Sequence, residues 1–142
     1  MLRREIRYEA WAPAAPDNGF ADDKNGDGIT NGLAFLLGAS DANAAVTLPT
    51  PTENAGGLTL SFDMLNATSR GTASLKIQWS DDLGATDLWT DNEEIVSDAS
   101  GTPATVTYLV TPGDPTNAVT ATIPAGEANG NGRLFGRLEA VE

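Results

Sequence analysis

The sequence predicts a mainly β protein: an antiparallel β-sandwich with two short helices confined to the N-terminal third. Three observations carry this. From Gly57 onward apolar residues recur with a period of two, turn-forming clusters separate these runs at short intervals, and helical spacing occurs only before Gly38. A sheet that is apolar on one face must bury it against a second layer, which makes a sandwich the expected architecture.

The elements follow in order. Arg3 to Ala12 is expected to form a first helix, with Ile6 and Ala10 at i, i+4 and Tyr8 and Trp11 at i, i+3, ended by Pro13 and Pro16. A loop from Asp17 to Asp22 carries Phe20 as a plug toward the core. Leu33, Leu36 and Leu37 have i, i+3, i+4 spacing, and Gly38 stands where a helix C′ residue is expected, so a second helix of about two turns is predicted there. Ala39 to Asn54 reads as a linker with at most one edge strand, at Val46 to Leu48.

Strands are then expected where Leu58, Leu60, Phe62 and Met64 alternate with polar residues, and again at Ala73, Leu75, Ile77 and Trp79. Ile95-Val96 reads as a short edge strand. Thr105 to Val110, the run holding Val119, Ala121 and Ile123, and Arg133 to Val141 complete a set of five or six. Asp81-Asp82-Leu83-Gly84, Pro112-Gly113-Asp114-Pro115 and Asn129-Gly130-Asn131-Gly132 supply turns. Residues 1–44 are read as a helical segment and 45–142 as the sandwich, packed together as one unit.

Charge and composition limit the chemistry. Over 142 residues, 8 basic against 20 acidic side chains give a net charge of −12, which disfavours nucleic acid and anionic membranes and favours cations. With no His and no Cys, thiol chemistry, imidazole bases and the usual zinc sets are absent. No apolar run is long enough for a membrane span. The acidic pairs Asp22/Asp23, Asp81/Asp82 and Glu93/Glu94 are adjacent residues rather than carboxyls set across a cleft, so no enzyme is expected.

The stretch Asp23-Lys24-Asn25-Gly26-Asp27-Gly28-Ile29-Thr30-Asn31 has the register of an EF-hand-type calcium loop. Oxygen donors occupy loop positions 1, 3, 5 and 9. Gly28 at position 6 permits the turn, and Ile29 at position 7 can offer its carbonyl while its side chain pins the loop to the core. Ca²⁺ takes roughly six to eight hard oxygens at about 2.3–2.6 Å. The predicted ligands are therefore Asp23, Asn25, Asp27, the Ile29 carbonyl and Asn31, directly or through water. Position 12, where an EF-hand carries a bidentate Glu, is Ala34. Asp17, Asp22 and Asp41 are the candidates to complete the sphere, and affinity in the millimolar range of extracellular modules is expected.

Tyr8-Glu9-Ala10-Trp11, Phe20 and the run Asn25 to Gly38 together resemble the C-terminal accessory module of large exported bacterial proteins. There a dockerin-like or thrombospondin-type-3-like calcium loop precedes a small β-domain. Ser80-Asp81-Asp82-Leu83 with Leu88-Trp89-Thr90 is similar to a segment of that β-domain. The resemblance implies a non-catalytic, calcium-binding structural module of a secreted or cell-surface bacterial protein, its partner being the rest of a larger polypeptide. Ala34 departs from the acidic residue such loops carry, and no second loop supports cohesin docking. Two other functions are expected to compete: a self-assembling subunit of a filament or surface layer, whose partners are identical subunits, and a carbohydrate-binding module in which Trp89 grips a glycan.

Overall fold

The computed structural model describes Tyr8, Trp11, Ala12 and residues 19–142. In chain order the elements are α1 (Asn31–Leu36), β1 (Thr52–Asn54), β2 (Gly57–Leu65), α2 (Ala67–Arg70), β3 (Ser74–Ser80), β4 (Glu93–Ile95), β5 (Thr107–Thr111), β6 (Thr116–Pro124) and β7 (Phe135–Val141). Short 3-10 turns lie at Trp89–Asp91 and Ala125–Ala128. The strands form two antiparallel sheets, one ordered β1-β2-β6-β5 and the other β4-β3-β7. None of the helices among the described residues is long and apolar enough to cross a membrane.

The alternation in the sequence becomes the inner faces of these sheets. Leu58, Leu60 and Met64 of β2, Leu75, Ile77 and Trp79 of β3, Tyr108 and Val110 of β5, and Val119, Ala121 and Ile123 of β6 all enter one apolar cluster. Both sheets therefore share a single core. The longest ladder runs β2 against β6, from Gly57↔Pro124 to Leu65↔Thr116, and joins segments almost sixty residues apart. Glu94 of β4 reaches the other sheet: Oε1 accepts from the Thr105 and Val106 N–H groups and Oε2 from the Tyr108 hydroxyl.

Several expectations are adjusted. The edge strand is β1 at Thr52–Asn54, not Val46 to Leu48. Val46 to Leu48 runs straight into Pro49 and Pro51, which have no N–H and cannot extend a ladder from it, whereas Thr52–Asn54 is held by the two-residue hairpin loop Ala55-Gly56, closed by Gly56 N–H donating to Asn54 Oδ1 at 2.9 Å. The strand expected at Ile95-Val96 is β4 at Glu93–Ile95, β5 begins at Thr107 rather than Thr105, and β7 begins at Phe135 rather than Arg133. Between β2 and β3 the chain adds the single helical turn α2, because Asn66 Oδ1 caps the Ser69 N–H.

Most of the helix expected over Arg3 to Ala12, with Pro13, Pro16 and Asp17, lies outside the described residues. Tyr8 and Ala12 are joined by an N–H to carbonyl bond of 2.7 Å, and the Tyr8 and Trp11 rings lie 5.6 Å apart. Both rings, with Phe20, pack on Phe35 of α1 or on one another. Helix α1 spans Asn31–Leu36, capped by the Thr30 hydroxyl and followed at Gly38 by positive φ, as the spacing predicts.

Candidate functional site

The loop 23–31 is folded around its own carboxylates. Asp23 Oδ1 accepts from the N–H of Gly26 at 2.9 Å and of Asp27 at 3.3 Å, and Oδ2 accepts from Gly28 at 2.8 Å. Asn25 Oδ1 accepts from Asp27 N–H at 3.2 Å, and Asp27 Oδ1 from Ile29 N–H at 2.9 Å. Loop positions 1, 3 and 5 thus turn their oxygens inward, toward the backbone that winds round them. Gly28 has φ +87°, the left-handed conformation that the turn at position 6 requires.

Asn31 is placed differently. It is 2 % exposed, and its carboxamide spans the neck of the loop: Oδ1 accepts from Lys24 N–H and Nδ2 donates to the Gly19 carbonyl, both at 2.9 Å. Asn31 N–H donates to the Asp22 carbonyl and Gly32 N–H to that of Phe20, so the two ends of the loop are stitched together. Phe20 and Leu33 pack on the core beside this neck; Ile29, half-buried, is not in that cluster. The pinning expected of Ile29 is therefore done by Phe20, whose ring occupies the space a side chain at Gly32 would need.

Ala34, at the twelfth position, is buried at 5 % exposure on the inward side of α1. Of the candidates to replace its missing ligand, Asp22 is exposed and accepts from Gly19 N–H, while Asp41 accepts from Asn43 N–H in a turn of its own. Asn25 Nδ2 donates to the Ala44 carbonyl, which brings the segment after Asp41 against the loop. Asp17 lies outside the described residues.

Among the described residues no three acidic, histidine or cysteine side chains meet at one point. Any cation at this loop must draw on two carboxylates supplemented by amide and backbone oxygens. Such an all-oxygen set fits a hard ion such as Ca²⁺ in chemistry and falls short of a full coordination shell in number. Each carboxylate oxygen offers two lone pairs, so Asp23 Oδ2 and both Asp27 oxygens retain capacity beyond their loop bonds.

The other acidic residues are occupied by structural donors. Asp82 accepts from the Thr86 hydroxyl and the N–H groups of Ala85, Thr86 and Asp87, with Ser80 Oγ also donating; the Thr86 side chain foremost holds the carboxyl far below the usual range. Asp81, 5 % exposed, accepts from both Asn129 and Asn131. Glu93 pairs with Lys76 and Gln78. The Asp82 bonds are local to its turn, whereas the pairings of Asp81 and Glu93 join distant segments and are not signalled by local spacing.

Trp89, the candidate glycan contact, is half-buried, with the Arg137 guanidinium 4.3 Å from its ring centroid and Gly84 against its indole edge. Arg137 in turn donates to Gln78 on β3. No family model, no curated protein and no solved structure matches the chain.

Proposed function

We propose that this chain is a calcium-stabilised β-sandwich, a non-catalytic structural module of a secreted or cell-surface bacterial protein. The supporting observation is the Asp23 carboxylate, which gathers the N–H groups of Gly26, Asp27 and Gly28 and so winds the loop around its own side-chain oxygens. Asp23, Asn25, Asp27 and the Ile29 carbonyl would hold the ion; Asn31 would hold the neck. The bound ion supplies positive charge that neutralises Asp23 and Asp27, and α1 transmits the restraint to the core through Phe35 and Leu36.

Binding to the folded state alone stabilises by RT ln(1 + [L]/Kd), about 2.7 kcal/mol when calcium exceeds Kd a hundredfold. Thermal melts with millimolar calcium and with chelator are expected to differ in midpoint. Asp27→Ala removes most of that difference, while Asp82→Ala lowers both midpoints and preserves it. Equal midpoints for the unmutated protein would refute the proposal.

A second reading, self-assembly into a filament or surface layer, draws on two exposed apolar side chains on peripheral strands, Ile95 of β4 at 57 % and Leu109 of β5 at 66 % exposure. Sedimentation at rising concentration distinguishes it: mass growth abolished by Leu109→Lys supports assembly. The glycan reading has less support, because Arg137 occupies a face of the Trp89 ring.

A further inference from the structure

Four Asn-Gly pairs lie wholly within the described residues, and the fold treats them in two ways. In Asn25-Gly26 the glycine N–H donates to Asp23 Oδ1, and in Asn31-Gly32 it donates to the Phe20 carbonyl, with Asn31 itself buried. In Asn129-Gly130 and Asn131-Gly132 the glycine N–H groups have no acceptor among the described residues. Both of these glycines are exposed, at φ +79° and +70°, and a Cβ at either would meet nothing within 4 Å. The turn is tied through the asparagine N–H groups, Asn129 to the Gly126 carbonyl and Asn131 to that of Ala128, and leaves both glycine nitrogens uncommitted.

We propose that the Asn129–Gly132 turn is a deamidation site, and that its conversion releases the turn from Asp81. In the reaction the Gly132 backbone nitrogen loses its proton and attacks Asn131 Cγ. The bond from Cγ to the carboxamide nitrogen breaks, ammonia leaves and a cyclic imide remains. Water then opens the imide at either carbonyl to give aspartate or isoaspartate. Water is the sole co-reactant, and Asn129 with Gly130 reacts in the same way. A glycine N–H already committed to an acceptor is held away from this attack, which separates the turn from Asn25 and Asn31.

The consequence follows from Asp81. Its Oδ2 accepts from Asn129 Nδ2 at 2.9 Å and Asn131 Nδ2 at 2.8 Å, and the residue is 5 % exposed. Deamidation replaces a donor with a carboxylate facing a carboxylate. The attraction becomes repulsion between a buried carboxylate and one on an exposed residue. The turn connects the 3-10 segment bearing Glu127, which accepts from the indole of Trp79, to the start of β7, so its release frees one end of the three-stranded sheet.

The test uses the whole 142-residue chain in chelator, which keeps it independent of the calcium reading. Held at mildly alkaline pH and physiological temperature, it is sampled by peptide mapping, with unfolded synthetic peptides of each Asn-Gly site as controls. Asn129 and Asn131 are expected to convert several-fold faster than Asn25 and Asn31 in the folded protein, while the free peptides convert at similar rates. Equal rates in the folded protein, or an intact 129–132 turn when its peptide has reacted, would overturn the assignment. For the release, Asn131→Asp should lower the melting temperature, and Asp81→Asn should abolish that drop. The same drop in both backgrounds would overturn that part.

Discussion

At the scale of single residues, position 34 separates this loop from an EF-hand. A glutamate at the twelfth position of an EF-hand turns back to the ion, but Ala34 faces inward at 5 % exposure. Ala34→Glu is therefore expected to bury an unpaired carboxylate and cost about 3 kcal/mol, measured by denaturant unfolding, without tightening calcium binding. Tighter binding by this variant would show that α1 can rotate to complete the sphere. Asp82 offers a second test. Its folded-state pKa is depressed, so its contribution is present above the unfolded value of about 3.9 and is lost as pH falls toward the folded value. Asp82→Asn should lower stability at neutral pH and flatten its dependence through that acid window, as followed by melts from neutral pH downward. The Asp82 bonds lie within one loop and were legible as a turn; the pairing of Asp81 with Asn129 and Asn131 was not, because it joins loops far apart in sequence.

At the scale of elements, the 3-10 turn Trp89–Asp91 acts as a clamp on the outer face of the three-stranded sheet. Trp89 holds Arg137 of β7, Arg137 donates to Gln78 of β3, and Gln78 donates to Glu93 of β4, so one series of contacts crosses all three strands. Gln78 is consequently 1 % exposed although it belongs to the wet face of its strand. Trp89→Ala is expected to destabilise the fold by about 2 kcal/mol in equilibrium unfolding and to speed hydrogen exchange in β7. An unaffected melt would leave the clamp without energetic weight. Local periodicity correctly placed Trp79 in the core but gave no partner for Trp89, since the period of a strand says nothing about what a later loop lays over it.

For the whole molecule, the N-terminal aromatic group and the β-core respond together to alkali. Burial raises the Tyr8 pKa to about 12, opposed by its hydrogen bond with Asn31 and reinforced by the negative charges of Glu142 and Asp22. Burial, with the bond to Glu94 and that residue's charge, pushes Tyr108 higher still. Both folded values lie above the unfolded value of about 10, so this contribution is full below that pH and falls as pH rises through the folded values. Stability should therefore decline above pH of about 10, with phenolate absorbance appearing together with loss of β-sheet circular dichroism. Phenolate formation near the unfolded value with the fold intact would contradict the raised values of both tyrosines.

The sequence by itself determined which residues face inward along β2, β3, β5 and β6, where α1 begins and ends, and that Asp23, Asn25 and Asp27 stand at loop positions 1, 3 and 5, because these depend on spacing within one segment. The tertiary structure alone decided that β2 pairs with β6, that Thr52–Asn54 rather than Val46 to Leu48 forms the edge strand, and that Asn31 closes the neck of the loop. Those outcomes depend on which distant segment arrives to supply a hydrogen-bond partner or to exclude water, and a local period carries no information about that.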